Sequence, residues 1–340
     1  MIKISGFLLL AAASCLAADI NYHVVARYPV GGDNSRWDYL QFDPATNYLY
    51  VAHYTKFEVL DATTGRKVGE VAPANRAHGV AVVPELNRGF ATSGNDNAVI
   101  MFDSRTLKTL RIIKTTGSNP DAIKYDATDT KKIYVLNGSS GNVTVIDPIT
   151  GEIVGDVKLV TGKLEQIGFD GRGRAFVNNE EKSVMHVFDT HTLKAVATWP
   201  LAPGEGGTGL AVDAIHHRVF STCGNGKLVV LDTDSGKLIA TPDIGADADG
   251  VAFDPIHGRI FTSNADSTMT VLHEDTPDQY SILQTVKTGV GAKQIAIDEA
   301  SSRIFLPTGE FGPKPAPTPT APDPLPTVIP GSFVIMVIQP

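Results

Sequence analysis

Residues 250–286 read Gly250-Val251-Ala252-Phe253-Asp254, then Arg259-Ile260-Phe261-Thr262, then Thr268-Met269-Thr270-Val271-Leu272, then Ile282-Leu283-Gln284-Thr285-Val286. Each run is short, rich in β-branched and aromatic residues, and bounded by Gly, Pro, Asn or Asp, the pattern of strands joined by tight turns. Four such runs in succession predict a four-stranded antiparallel meander. The unit recurs. The residue that closes its first run, Asp254, has counterparts at Asp43, Pro84, Asp126, Asp170, Asp213 and Asp298, at successive intervals of 41, 42, 44, 43, 41 and 44 residues. A second mark, closing the third run, falls at Asp61, Asp103, Asp147, Asp189, Asp232 and His273, at intervals of 42, 44, 42, 43 and 41.

Two independent marks with one period override a domain count based on length alone. Four strands per period predict an all-β fold, a seven-bladed β-propeller with four-stranded blades. The seventh unit supplies strands at Gln294–Ile297, Arg303–Leu306 and Phe333–Ile338 and then stops, whereas His23–Val30 precedes the first unit with no blade of its own. The N-terminal strand is therefore expected to complete the last blade and close the ring. Residues 312–330, which hold eight of the 21 prolines, form a loop inserted in blade seven, because proline has no N–H for a sheet ladder. In the first strands, bulky pairs such as Leu40/Phe42, Ile123/Tyr125 and Val251/Phe253 flank small residues such as Gly168, Ala211, Ala252 and Ala296. Alternation puts bulky and small residues on opposite faces, so neighbouring blades can interdigitate, with Gln41 and Lys124 as polar exceptions facing the axis.

The chain has 340 residues, 42% hydrophobic and 19% charged, a composition that can bury a large core. A net charge of −8 with no basic run argues against nucleic-acid binding. Only Cys15 and Cys223 are present, so there is no disulfide framework and no thiolate metal site; Cys223 is expected to be buried. Residues 1–18 carry Lys3, an apolar stretch from Phe7 to Ala13 and small residues to Ala18, the layout of a signal peptide, leaving 19–340 as one propeller domain. The same stretch admits acylation of Cys15 as an alternative. No later segment has the run of about 18 apolar residues that spans a bilayer. The expectation is a periplasmic or secreted protein, monomeric, with no transmembrane segment.

The second strands read Tyr50-Val51-Ala52-His53, Tyr134-Val135-Leu136-Asn137, Phe176-Val177-Asn178-Asn179 and Phe261-Thr262-Ser263-Asn264. With Asn119-Pro120-Asp121-Ala122 before a first strand and Asp-x-x-x-Gly after third strands (Asp61–Gly65, Asp147–Gly151, Asp232–Gly236), the chain resembles the YVTN-repeat propellers, the YncE-like members in particular, over about residues 22–340. The resemblance implies export and a seven-bladed ring. Similar propellers include lactonases, lyases and quinoprotein dehydrogenase subunits, so the resemblance does not choose an activity.

Chemistry is expected where the loops leading into first strands meet the loops between second and third strands. Five residues before each mark stand Asp38, Gly79, Asp121, Glu165, Thr208, Asp249 and Lys293, with Arg36, Trp37 and His78 in the same loops and His53 after a second strand. Asp38, Asp121, Glu165 and Asp249 are candidate ligands for a divalent cation, Ca²⁺ or Mg²⁺, and His78 is a candidate general base. Arg36, Trp37, His53 and Lys293 complete a candidate ligand-binding set, in which the two histidines would favour a transition metal. The same carboxylates also suit plain turn chemistry. Gly204–Gly209 matches GxGxxG but leads into a strand, so no helix N-terminus follows for a pyrophosphate. No GxSxG, HExxH or P-loop is present. Two functions lead, a scaffold that binds a small ligand or a periplasmic partner protein and a metal-assisted lactonase or lyase; a third, an accessory to a periplasmic redox system, is left a partner role by the absence of any haem or quinone-forming signature.

Overall fold

A computed structural model of the chain describes residues 21–318, 322 and 324–340. The segments read as a signal peptide and as an acylation site, Cys15 included, lie outside the described residues. The described chain forms seven four-stranded antiparallel sheets, and its one helix is a single 3₁₀ turn, Pro84–Leu86. Blade one runs Trp37–Asp43, Tyr48–His53, Lys56–Asp61 and Lys67–Val71 from the axis outward, and blades two to six repeat this order in sequence. In blade seven the order from the axis is Ala296–Asp298, Arg303–Thr308, Val334–Gln339 and then His23–Pro29, which pairs antiparallel with Val334–Gln339.

The recurring acid at the end of each inner strand works locally. Asp43 accepts the Ala45 N–H (3.0 Å), Asp213 that of Ile215 (2.9 Å) and Asp254 that of Ile256 (2.9 Å), so each buried carboxylate satisfies the turn that starts strand two. Blade two replaces this turn with the 3₁₀ segment Pro84–Leu86, closed by Asn87 in the left-handed region at φ 50°.

Blades pack as the alternation of large and small residues requires. A Cβ on Gly168 of blade four would come within 2.5 Å of Leu210 and 2.7 Å of Val212 in blade five, so the small face of one blade receives the bulky face of the next. Each core cluster accordingly spans two blades: Phe57, Val59 and Val71 of blade one pack with Val80, Ile100 and Phe102 of blade two. Cys223 is fully buried in the cluster joining blades four and five, and burial pushes its thiol pKa up to about 12.

Candidate functional site

In blades one to six the inner strand begins with a break in its ladder. In blades one to five, two residues oppose one on strand two: Asp38-Tyr39, His78-Gly79, Asp121-Ala122, Glu165-Gln166 and Thr208-Gly209. In blade six the extra residue is Asp249. Such bulges re-aim side chains, and here they give the first residue of each pair a common position around one end of the central channel. Buried hydroxyls hold the bulges: Thr92 Oγ1 accepts the Gly79 N–H (2.8 Å) and donates to the Asp121 carbonyl of the next blade (3.0 Å). Thr222 Oγ1 accepts the Gly209 N–H at 3.0 Å. The register places His78, not Gly79, at the position of Asp38, because blade two turns through Pro84 one residue after the end of its inner strand.

Asp38, His78 and Asp121, from three consecutive blades, form one cluster. His78 Nδ1 donates to Asp38 Oδ2 at 2.5 Å and lies 3.7 Å from Asp121 Oδ1, and one donor atom from each residue falls within 4.8 Å of the others. His78 Nε2 is buried without a hydrogen-bond partner among the described residues, 3.0 Å from where a Cβ on Gly94 would stand. Burial opposes the imidazolium, but the Asp38 hydrogen bond and the charges of Asp121 and Asp38 outweigh it, so the His78 pKa is raised. Asp121 is raised to about 7 by burial, with the Asp38 charge adding to the rise and His78 opposing it.

The remaining carboxylates carry their own cations. Glu165 Oε1 meets Lys163 Nζ at 2.7 Å, and Lys163 also contacts Glu180. Asp249 Oδ2 meets Lys293 Nζ at 2.8 Å and Gln294 Nε2 at 3.1 Å. Burial lifts both acids, Glu165 well above the usual range with help from the charges of Asp121 and Asp249. Tyr39 reaches across the axis from blade one to donate to Glu165 Oε2 in blade four at 3.3 Å, which puts a phenol under the ring of charges. Burial and the four surrounding acids, Glu165 foremost, raise its pKa far above the phenol value.

Three of the sequence candidates stand apart from this ring. Trp37 stacks on Phe333 (4.5 Å, 10°), and Arg36 lies over Phe311 at 5.3 Å while donating to the Pro326 carbonyl at 2.5 Å; both fasten the proline-rich insertion. His53 is buried edge-on to Phe333 at 5.0 Å, 3.6 Å from Glu58, so the two histidines do not meet. Lys163 and Tyr39 were missed by the spacing argument, Lys163 because it sits two residues before the repeated position. A second cluster, Asp213, His216 and Glu274, lies at the opposite end of the ring, with His216 Nδ1 2.6 Å from Asp213 and 3.6 Å from Glu274.

No protein-family model matches the chain, and no curated protein matches it by sequence. Among solved structures it is similar to a chain in a crystal structure of the mitotic checkpoint complex, at 11% identity and a TM-score of 0.74, covering 96% of this chain and 99% of that one. It is also similar to a chain of Kuenenia stuttgartiensis hydrazine synthase, at 16% identity and a TM-score of 0.70, covering 87% and 95%. Identities this low establish the propeller fold and leave activity open.

Proposed function

We propose that the chain is an exported, YVTN-type propeller that acts as a binding scaffold, with the charged ring over its channel as the recognition surface for a small polar ligand or a partner protein. One observation carries this reading: three of the ring's four acids are paired within the protein, Asp38 with His78, Glu165 with Lys163 and Asp249 with Lys293, and the fourth, Asp121, lies 3.7 Å from the same histidine. Paired charges held on bulges of a rigid ring present a fixed pattern for polar recognition. Charge reversal at the ring tests it. Lys163→Glu with Lys293→Glu should abolish capture of a periplasmic ligand or protein by the folded variant. Equal capture by the variant would remove the ring from the function.

A metal-assisted lactonase or lyase is the second reading, and the Asp38, His78 and Asp121 cluster favours it. One imidazole nitrogen with two carboxylates suits Mn²⁺ or Zn²⁺ better than the Ca²⁺ or Mg²⁺ that an all-oxygen set would take. These three residues would hold the ion, which would supply Lewis acidity to a carbonyl oxygen; Glu165 and Asp249 would stay with their lysines. Thermal unfolding of chelator-treated protein discriminates. An ion at about 100 times its Kd adds about 2.7 kcal/mol to stability, a rise in midpoint of a few degrees that His78→Ala and Asp121→Ala should each abolish. No rise with Mn²⁺, Zn²⁺, Cu²⁺, Ca²⁺ or Mg²⁺ would end this reading and leave the scaffold.

A further inference from the structure

Below the Tyr39 phenol the axis of the ring is a cavity of about 680 Å³. Its walls are aliphatic, with Leu40, Ile123, Ile167, Leu210, Val251 and Ile295 among them, and it runs down to the turns at the far end of the ring, where Pro44, Ile256 and Glu299 border it. The register explains both the space and its two polar exceptions. Three residues after the charged ring, blades five, six and seven line the channel with Ala211, Ala252 and Ala296, while blades one and three line it with Gln41 and Lys124. Gln41 Nε2 donates to the Phe42 carbonyl at 2.7 Å and is anchored to the wall. Lys124 has no hydrogen bond or ion pair among the described residues; its ammonium sits in the cavity and feels only the more distant charge of Glu299.

We propose that this channel is a second binding site, separate from the charged ring, and that it takes a small apolar carboxylate whose chain lies along the aliphatic wall and whose head pairs with Lys124. The cavity falls in the size class of small-molecule sites, and its aliphatic wall, with Lys124 inside and Asp298 and Glu299 at the entrance, has the layout of a pocket that holds a hydrophobic body and orients one polar end. Entry is from the far end, because Tyr39 crosses the channel to Glu165 at the near end. Two acids stand at that entrance: Asp298, engaged by Arg303 at 3.3 Å, and Glu299. Lys124 is exposed, so a bound carboxylate can reach its ammonium.

Calorimetric titration of the purified protein with hexanoate, octanoate, 1-octanol and octylammonium tests the site. Each added methylene should tighten carboxylate binding roughly fourfold until the cavity is filled. Lys124→Met keeps the length of the side chain and loses the charge; it should weaken octanoate at least tenfold and leave octanol within about twofold. Ala252→Phe, which puts a ring into the channel from another blade, should abolish both, with the unfolding midpoint as the check on folding. The proposal is overturned if octanoate shows no saturable binding at millimolar concentration, if Lys124→Met leaves octanoate affinity unchanged, or if octylammonium binds more tightly than octanoate.

Discussion

Asp121 at the channel mouth and Asp189 in the outer turn of blade four are the same side chain in opposite surroundings. Asp121 is buried beside Asp38 and lies 3.7 Å from His78, and its pKa is raised to about 7. Asp189 accepts the N–H groups of Thr192 (2.6 Å) and His191 (3.1 Å) and the Thr192 hydroxyl (2.9 Å), which lower its pKa. The outer turns of blades one, two and five repeat the second arrangement at Asp61, Asp103 and Asp232, and all three are lowered. An aspartate that serves its own turn gains from ionising. One that a bulge drives into a crowded, desolvated ring loses by it, and retaining such groups is a cost in stability of the kind functional sites carry.

The strongest way to test this contrast is to remove the ionisation at the mouth. The folded-state pKa of Asp121 lies above its unfolded value near 3.9, so the folded protein holds the proton more tightly and stability falls as pH rises from about 4 through 7. His78, also raised, adds a loss of the same sign as pH rises through its folded value. Asp121→Asn should therefore be stabilised over the parent by about 2–4 kcal/mol at pH 8 in chelator and by almost nothing at pH 4, measured by urea unfolding across pH. A parent whose stability does not change between pH 4 and 8 would refute the assignment.

Glu274 sharpens the contrast by breaking its geography. It lies at the turn end with Asp189, but the side chain is buried, faces Asp213 across His216, and is raised to about 7 by burial and by the Asp213 charge. Environment, not the end of the ring, should set the sign. Glu274→Gln should gain about 1–2 kcal/mol at pH 8 and lose that gain by pH 4, a smaller effect than at Asp121 because a glutamate starts from a higher unfolded value and His216 is half exposed beside it. A variant destabilised at pH 8 would show that the ionised Glu274 is needed by its neighbours.

How much of this was legible in the sequence follows from the range of each interaction. Strands, blade count and turn acids depend on neighbours a few residues away, so the spacing of Asp254 and its counterparts carries them. The bulged positions Asp38, Asp121, Glu165 and Asp249 were reachable because the period repeats them. Their partners were less so: Tyr39 meets Glu165 across 126 residues, a pairing set by ring geometry and not by any local pattern. Gly79 held the place of His78 in the count because Pro84 stands in for an acid one residue beyond the inner strand. Arg36 and Trp37 adjoin the ring in sequence, yet Phe311 and Phe333 at the far end of the chain draw them to blade seven.

The smallest effect belongs to the turn acids, and its sign is the reverse of the others. Because the Asp189 pKa is lowered, its contribution is present above the unfolded value near 3.9 and is lost as pH falls through the folded one. The residue is partly exposed, so its three hydrogen bonds compete with water and together are worth only about 0.5–1 kcal/mol. Asp189→Ala should cost that much at pH 7 and nothing at pH 2.5, while Asp189→Asn, which keeps an acceptor oxygen, should recover most of it at pH 7. Equal losses for Ala and Asn would mean that the charge, and not the acceptor geometry of the turn, holds the outer hairpin together, and the distinction between turn acids and mouth acids would then rest on burial alone.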